Sequence, residues 1–151
     1  MNHLMDETTE NLMNVLRRAD ADDVHSFLKE HFSQGQPTFV QYLDALLAEK
    51  GLKRQQVLLR AGLPQKYGYK LLTGEAHTTD RDKLLRICLA MELNLKQTQR
   101  ALRLYGMSEL YPKIKRDVVV IAAIGRRCWD IDEVSRELSE AGLDPLYLPE
   151  L

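Results

Sequence analysis

Apolar residues along this chain return at intervals of three and four, and they nowhere alternate with polar ones over the length of a strand. That periodicity belongs to helices with one buried face, so the sequence predicts an all-α protein. β-Branched residues cluster only at 118–121. Leu12, Val15 and Leu16, followed by Val24, Phe27 and Leu28, place amphipathic helices at about 8–18 and 21–32. The Ser-Gln-Gly-Gln-Pro run at 33–37 then breaks the pattern. Beyond it, Thr38 and Gln41 make a capping box for a helix through Tyr42, Leu43, Leu46 and Leu47, which stops at Gly51. Residues 52–61 form the next helix, with Val57 and Leu58 inward. Gly62 and Leu63 turn the chain into a short helix at 64–72, ended by Gly74. Pro64 sits in its first turn, where a missing N–H costs nothing. Thr79 and Asp82 cap a helix running to about Met91, and another covers 96–105.

The second half repeats. A shift of 36 residues lays Leu84-Leu85 on Val120-Ile121, Leu93-Asn94-Leu95 on Trp129-Asp130-Ile131, Leu102 on Leu138 and Gly106 on Gly142. Leu110-Tyr111 then falls on Leu146-Tyr147. Capping boxes coincide as well, Asn94 with Gln97 and Asp130 with Glu133. A single helical hairpin cannot cover its own apolar face, so residues 79–112 and 113–150 are expected to stack.

Composition sets outer limits. The longest apolar run, residues 118–124, falls far short of the ~20 a membrane span needs. Cys88 and Cys128 are too few for a disulfide framework or a structural zinc site. The acidic start (Asp6, Glu7, Glu10) is unlike a signal peptide, so a cytoplasmic protein with reduced thiols is expected. Net charge is −1, but it is segregated: −4 over residues 1–36, +5 over 37–112 and −2 over 113–151. A basic centre between acidic flanks suits nucleic-acid binding with partner-facing ends. Three segments follow: an N-terminal helical extension at 1–36, a central domain at 37–112 and a C-terminal helical hairpin at 113–151.

The informative constellation runs from Arg54 to Gly74. A helix-turn-helix needs a small or apolar inward set, a tight glycine turn and a second helix whose outer face enters the major groove. Val57, Ala61, Gly62, Leu63, Leu71 and Gly74 resemble the pattern of phage-lambda-repressor-like helix-turn-helix regulators, the XRE or Cro type. The resemblance covers about half the chain. The Lys-Tyr-Gly-Tyr-Lys-Leu-Leu-Thr-Gly stretch at 66–74, with Arg-Asp-Lys-Leu-Leu at 81–85 and Leu-Tyr-Pro at 110–112, is similar to a bacterial subgroup bearing a second, C-terminal helical hairpin. It implies a five-helix lambda-repressor-like domain between an N-terminal helix pair and that hairpin. The chain departs from the pattern twice. Leu58 stands four residues before Gly62, where the family has alanine, and Gly68 stands six after it, where the family has a buried Ile or Val. Tyr67 or Tyr69 is expected to fill the space at Gly68.

The resemblance implies a sequence-specific, double-stranded-DNA-binding transcriptional regulator with helix 64–72 as recognition helix, acting as a homodimer. Gln65, Lys66, Tyr69 and Lys70 are then the base-contacting candidates: Gln65 can pair bidentately with adenine, and the lysines can reach guanine or phosphate. Arg54 and Gln55 are placed for phosphates on one side, and Thr78 and Arg81 on the other. Each lysine could equally be a solvated helix face, and each tyrosine core packing.

No catalytic, metal or cofactor constellation stands out. His3, His25, His31 and His77 are scattered, and Gly125-Arg126-Arg127 reads as a helix end. The chain is therefore expected not to be an enzyme. The alternative to a regulator is an interaction module that kept the fold and lost groove reading, with a protein partner on the C-terminal hairpin.

Overall fold

The computed structural model describes residues 8–32 and 35–147, among which there are nine helices and no strand. The expected all-α class holds. The chain divides into two units, residues 1–37 and 38–151. No helix among the described residues is long and apolar enough to cross a membrane.

The first unit contains α1 (Thr9–Arg17) and α2 (Ala21–Phe32). Thr8 caps α1 by accepting the Asn11 N–H at 3.2 Å. Asp20 and Asp23 cap α2 reciprocally, each carboxylate accepting the other's backbone N–H, at 2.8 and 3.1 Å. Carboxylates at a helix start also meet the positive end of its dipole. Ser33 and Gln34 of the predicted break lie outside the described residues.

The second unit holds α3 (Phe39–Lys50), α4 (Arg54–Ala61), α5 (Gln65–Thr73), α6 (Arg81–Ala90), α7 (Leu95–Tyr105), α8 (Lys115–Gly125) and α9 (Ile131–Glu140). The capping boxes at Thr38/Gln41 and Asn94/Gln97 form as read, and Gly51, Gly62, Gly74 and Gly106 close α3, α4, α5 and α7. Besides the helix expected at 96–105, which begins one residue early at Leu95, three starts differ. The helix expected from residue 52 begins at Arg54, because the Leu52 N–H is spent on the Leu47 carbonyl at 2.9 Å and Lys53 is extended. Pro64 precedes α5 as its N-cap, at φ −56°, ψ 134°, so the helix expected at 64–72 spans Gln65–Thr73. Asp80, not Thr79, caps α6, taking the Asp82 N–H at 3.0 Å.

Helix α6 is the hub: every residue from 84 to 90 is buried, and it packs against α4, α7 and α9. Around it α4 meets α5, α3 meets α5 and α7, and α8 meets α7 and α9. Each fully buried leucine here, such as Leu43, Leu71, Leu84 or Leu102, contributes roughly 1.5–3 kcal/mol through its removal from water. Arg86 is the charged member of the buried set on α6. Its Nε donates to the Ala61 carbonyl at 2.9 Å and its Nη2 to the Gly62 carbonyl at 3.1 Å, closing the end of α4. The Tyr147 ring lies against that guanidinium, 4.4 Å from ring centre to Cζ. Burial lowers the Arg86 pKa, and Tyr147, Asp80 and Asp82 oppose the shift.

The repeat needs a corrected register. The α7 and α9 hairpin arms keep a 36-residue offset, since Met107 N–H closes on Leu102 and Leu143 N–H on Leu138. The ends of α6 and α8 do not: Leu93 N–H closes on Cys88 and Cys128 N–H on Ala123, 35 residues apart, because the second connection is one residue longer. At that offset Arg81-Asp82 falls on Arg116-Asp117, and the two pairs exchange partners. The Arg81 guanidinium grips Asp117, while Arg116 grips Asp82 bidentately at 2.9 and 3.1 Å. The expected second capping box is half made: Asp130 accepts the Glu133 N–H at 3.2 Å, but the Glu133 carboxylate pairs with Arg136.

Candidate functional site

The α4–α5 pair follows from local rules. Gly62, in the left-handed region at φ 68°, lets the Leu63 N–H return to the Leu58 carbonyl at 3.1 Å, and extended Pro64 then starts a new direction. A side chain at Gly62 would also meet the Tyr147 ring, 3.0 Å from the position of a Cβ. Helix α5 buries Gly68, Leu71 and Leu72 and leaves Gln65, Lys66, Tyr69 and Lys70 outside. Positions 65, 66, 69 and 70 share one side of a helix with 3.6 residues per turn.

That outer side forms one wall of a groove of about 430 Å³, lined by Arg54, Gln55, Leu58, Gln65, Lys66, Tyr69, Lys70 and Glu75. Six of the eight residues predicted for nucleic-acid contact therefore meet in one place. Arg54 is held twice, by an ion pair to Asp44 at 2.8 Å and by the Tyr69 ring 5.5 Å from its Cζ. The Asp44 hydrogen bond, ahead of every other influence, raises the Arg54 pKa. Gln65 reaches back across the turn, its Nε2 donating to the Gln55 carbonyl at 3.2 Å. Lys66 and Lys70 are exposed, and among the described residues neither has an ion-pair partner.

Thr78 and Arg81 are placed elsewhere. Thr78 is buried; its N–H donates to the Tyr105 hydroxyl at 2.7 Å, and its own hydroxyl accepts the Asp80 N–H at 3.1 Å. Arg81 is tied to Asp117 and to the Ser108 and Glu109 carbonyls, each at 3.2 Å. Both serve the start of α6 and do not line the groove. Sequence reading missed Glu75, which puts a carboxylate on the groove; its place just after Gly74 is the one signal that pointed there.

Among the described residues no group of three or more His, Cys, Asp or Glu side chains is placed to hold a metal ion. Cys88 is buried, and burial pushes its pKa up to about 12. A second concavity of about 370 Å³ lies beside Arg60, Glu92, Trp129 and Asp130. One of its walls is fixed by the Trp129 indole N–H, which donates to the Leu93 carbonyl at 2.9 Å. Chemically, the α5 groove offers two exposed ammonium groups, two carboxamides, an oriented guanidinium and an aromatic face. Compared with protein-family models, curated proteins and solved structures, the chain matches none.

Proposed function

We propose that this protein is a cytoplasmic, non-enzymatic regulator that binds double-stranded DNA in a sequence-specific way, with α4 and α5 as a lambda-repressor-like helix-turn-helix. The observation that carries this reading is the gathering of Gln65, Lys66, Tyr69 and Lys70 on the outer side of α5 while Leu71 and Leu72 hold its back in the core. In the major groove, Gln65 would read adenine, and Lys66 and Lys70 would take guanine or phosphate. Arg54, pre-oriented by Asp44 and Tyr69, would fix register on the backbone. The protein would act as a homodimer, because one short helix reads few base pairs.

The test is a fluorescence-anisotropy titration against the gene's own upstream duplex and a scrambled duplex at several salt concentrations. The expected result is tighter binding to the native duplex, with a salt slope implying about four or more phosphate contacts. Lys66→Glu with Lys70→Glu should abolish it and leave the melting temperature nearly unchanged, since both side chains are exposed. Unaltered binding by that variant would overturn the reading.

A second reading is an interaction module. Glu75 on the groove, where it would repel phosphate, and the half-exposed Tyr69 favour it. Absence of any salt-dependent duplex affinity would shift the assignment to that module.

A further inference from the structure

The concavity of about 370 Å³ beside Trp129 is lined by charges of both signs. Arg60 comes from the last turn of α4, Glu92 follows α6, and Asp130 caps α9. Arg60 and Glu92 are exposed, and among the described residues neither enters an ion pair, with the other or elsewhere. The Arg60 guanidinium makes one long bond, Nη1 to the Ala90 carbonyl at 3.4 Å, and most of its N–H donors stay unspent.

Glu92 is the less expected of the two. Its backbone stands in the left-handed region at φ 56°, where glycine is the unstrained residue. The fold uses its main chain: the N–H goes to the Leu89 carbonyl at 2.9 Å, and the carbonyl takes the Lys50 ammonium at 3.2 Å. Its carboxylate has no partner among the described residues. Asp130 spends Oδ1 on the Asp132 and Glu133 N–H groups, at 2.9 and 3.2 Å, and keeps Oδ2 open. Between these charges the wall is apolar. The half-buried Trp129 has its N–H committed to the Leu93 carbonyl, so it offers the cavity ring carbon, which Leu89 and Ile131 continue.

We propose that this concavity binds a free α-amino acid with an apolar side chain. Arg60 would take the carboxylate in a charge-assisted contact. Glu92 and the open oxygen of Asp130 would take the ammonium, and the Trp129 ring the side chain. A simple anion would face two carboxylates here, and a simple cation would face the guanidinium. A zwitterion satisfies all three charges, and the volume falls within the range of small-ligand sites. Because Arg60 belongs to α4 and Asp130 to the start of α9, an occupant ties those helices together. This site goes beyond the proposed function and rests on none of the groove residues.

Trp129 is the single tryptophan of the chain, so its emission reports the site directly. The test is titration of the full chain with L-leucine and L-phenylalanine into the millimolar range. L-Leucinamide, which lacks the carboxylate, and N-acetyl-L-leucine, which lacks the ammonium, serve as comparisons. The expected result is a saturable change in emission and a raised melting temperature with at least one of the amino acids. Each derivative of leucine should bind at least about tenfold more weakly than leucine, as loss of a charged hydrogen-bond partner implies. Arg60→Ala and Glu92→Gln should each weaken amino-acid binding by about tenfold or more. Both side chains are exposed, so both variants should melt where the parent does. No saturable response to either amino acid overturns the proposal. Leucinamide binding as tightly as leucine overturns it too, by making the site one for cations, and so does unchanged affinity in Arg60→Ala. No duplex is present in this titration, so its failure and that of the DNA reading are told apart.

Discussion

Leu58 on α4 occupies the room that Gly68 leaves on α5: a Cβ at Gly68 would stand 2.4 Å from the Leu58 Cδ2. The two departures from the regulator pattern are thus one exchange, with volume moved from the second helix to the first. Neither tyrosine expected in that space fills it. Tyr69 is half exposed against Arg54, and Tyr67 stacks with Lys83, whose Nζ lies 5.0 Å from the ring centre.

Gly68→Ala should therefore destabilise the fold by about 1–3 kcal/mol through overpacking, although alanine is the better helix former by about 1 kcal/mol. Leu58→Ala should cost about 2–5 kcal/mol for its cavity. In the double variant the new methyl enters that cavity, so urea unfolding should show a smaller loss than the two singles combined. Strict additivity would mean the two side chains do not share the space.

Arg86 and Tyr147 hold the same turn from its other side. Arg86→Met leaves the Ala61 and Gly62 carbonyls without their donor and should cost about 2–4 kcal/mol. Tyr147→Ala should cost about 1–2 kcal/mol by uncovering a desolvated guanidinium. Denaturant unfolding of both singles and the double should show coupling between them; its absence would separate the tail from the turn.

The exchanged ion pairs are unequal. Asp117 has a side chain 2% exposed and also accepts the Tyr111 N–H at 2.9 Å, whereas the Asp82 side chain is 25% exposed. Asp117→Ala should cost about 3–5 kcal/mol, because Arg81 loses its partner in a largely buried setting. Asp82→Ala should cost about 1 kcal/mol or less. Similar midpoints for the two variants would contradict this burial difference.

Cys88 gives a pH prediction. Its thiol is raised in the folded state from 9.0 to about 12 by burial, so the unfolded chain loses this proton first. Stability is then unaffected below about pH 9 and falls as pH rises toward about 12, by up to about 1.4 kcal/mol per unit. The Tyr42 hydroxyl, also raised by burial, adds to the same fall. Cys88→Ala should shallow the alkaline slope without removing it. A thiol reagent should modify half-buried Cys128 in the native protein and reach Cys88 only on unfolding.

Helix existence was legible because apolar spacing and terminal glycines are local signals, and Gly51, Gly62, Gly74 and Gly106 stop their helices where they stand in the sequence. Six groove residues were legible for the same reason: one helix face and the first turn before it are set by spacing. What could not be read was long-range. Thr78 and Arg81 look like an exposed hydroxyl and an exposed cation until Tyr105 of α7, Ser108 of the connection after it and Asp117 of α8 arrive. The partner of Gly68 sits ten residues earlier on another helix, and no periodicity connects them. The 35-residue offset was masked by a one-residue difference between two connections, which only their hydrogen bonds reveal.

Tyr147 lies more than eighty residues beyond the turn at Gly62 that it covers. Chains are synthesised from the N-terminus, and their early parts fold first. On a ribosome, therefore, α4, α5 and the Arg86 bonds that close their junction can form before Tyr147 emerges, and a product clipped ahead of Tyr147 would keep those bonds but leave the Arg86 guanidinium and Gly62 uncovered.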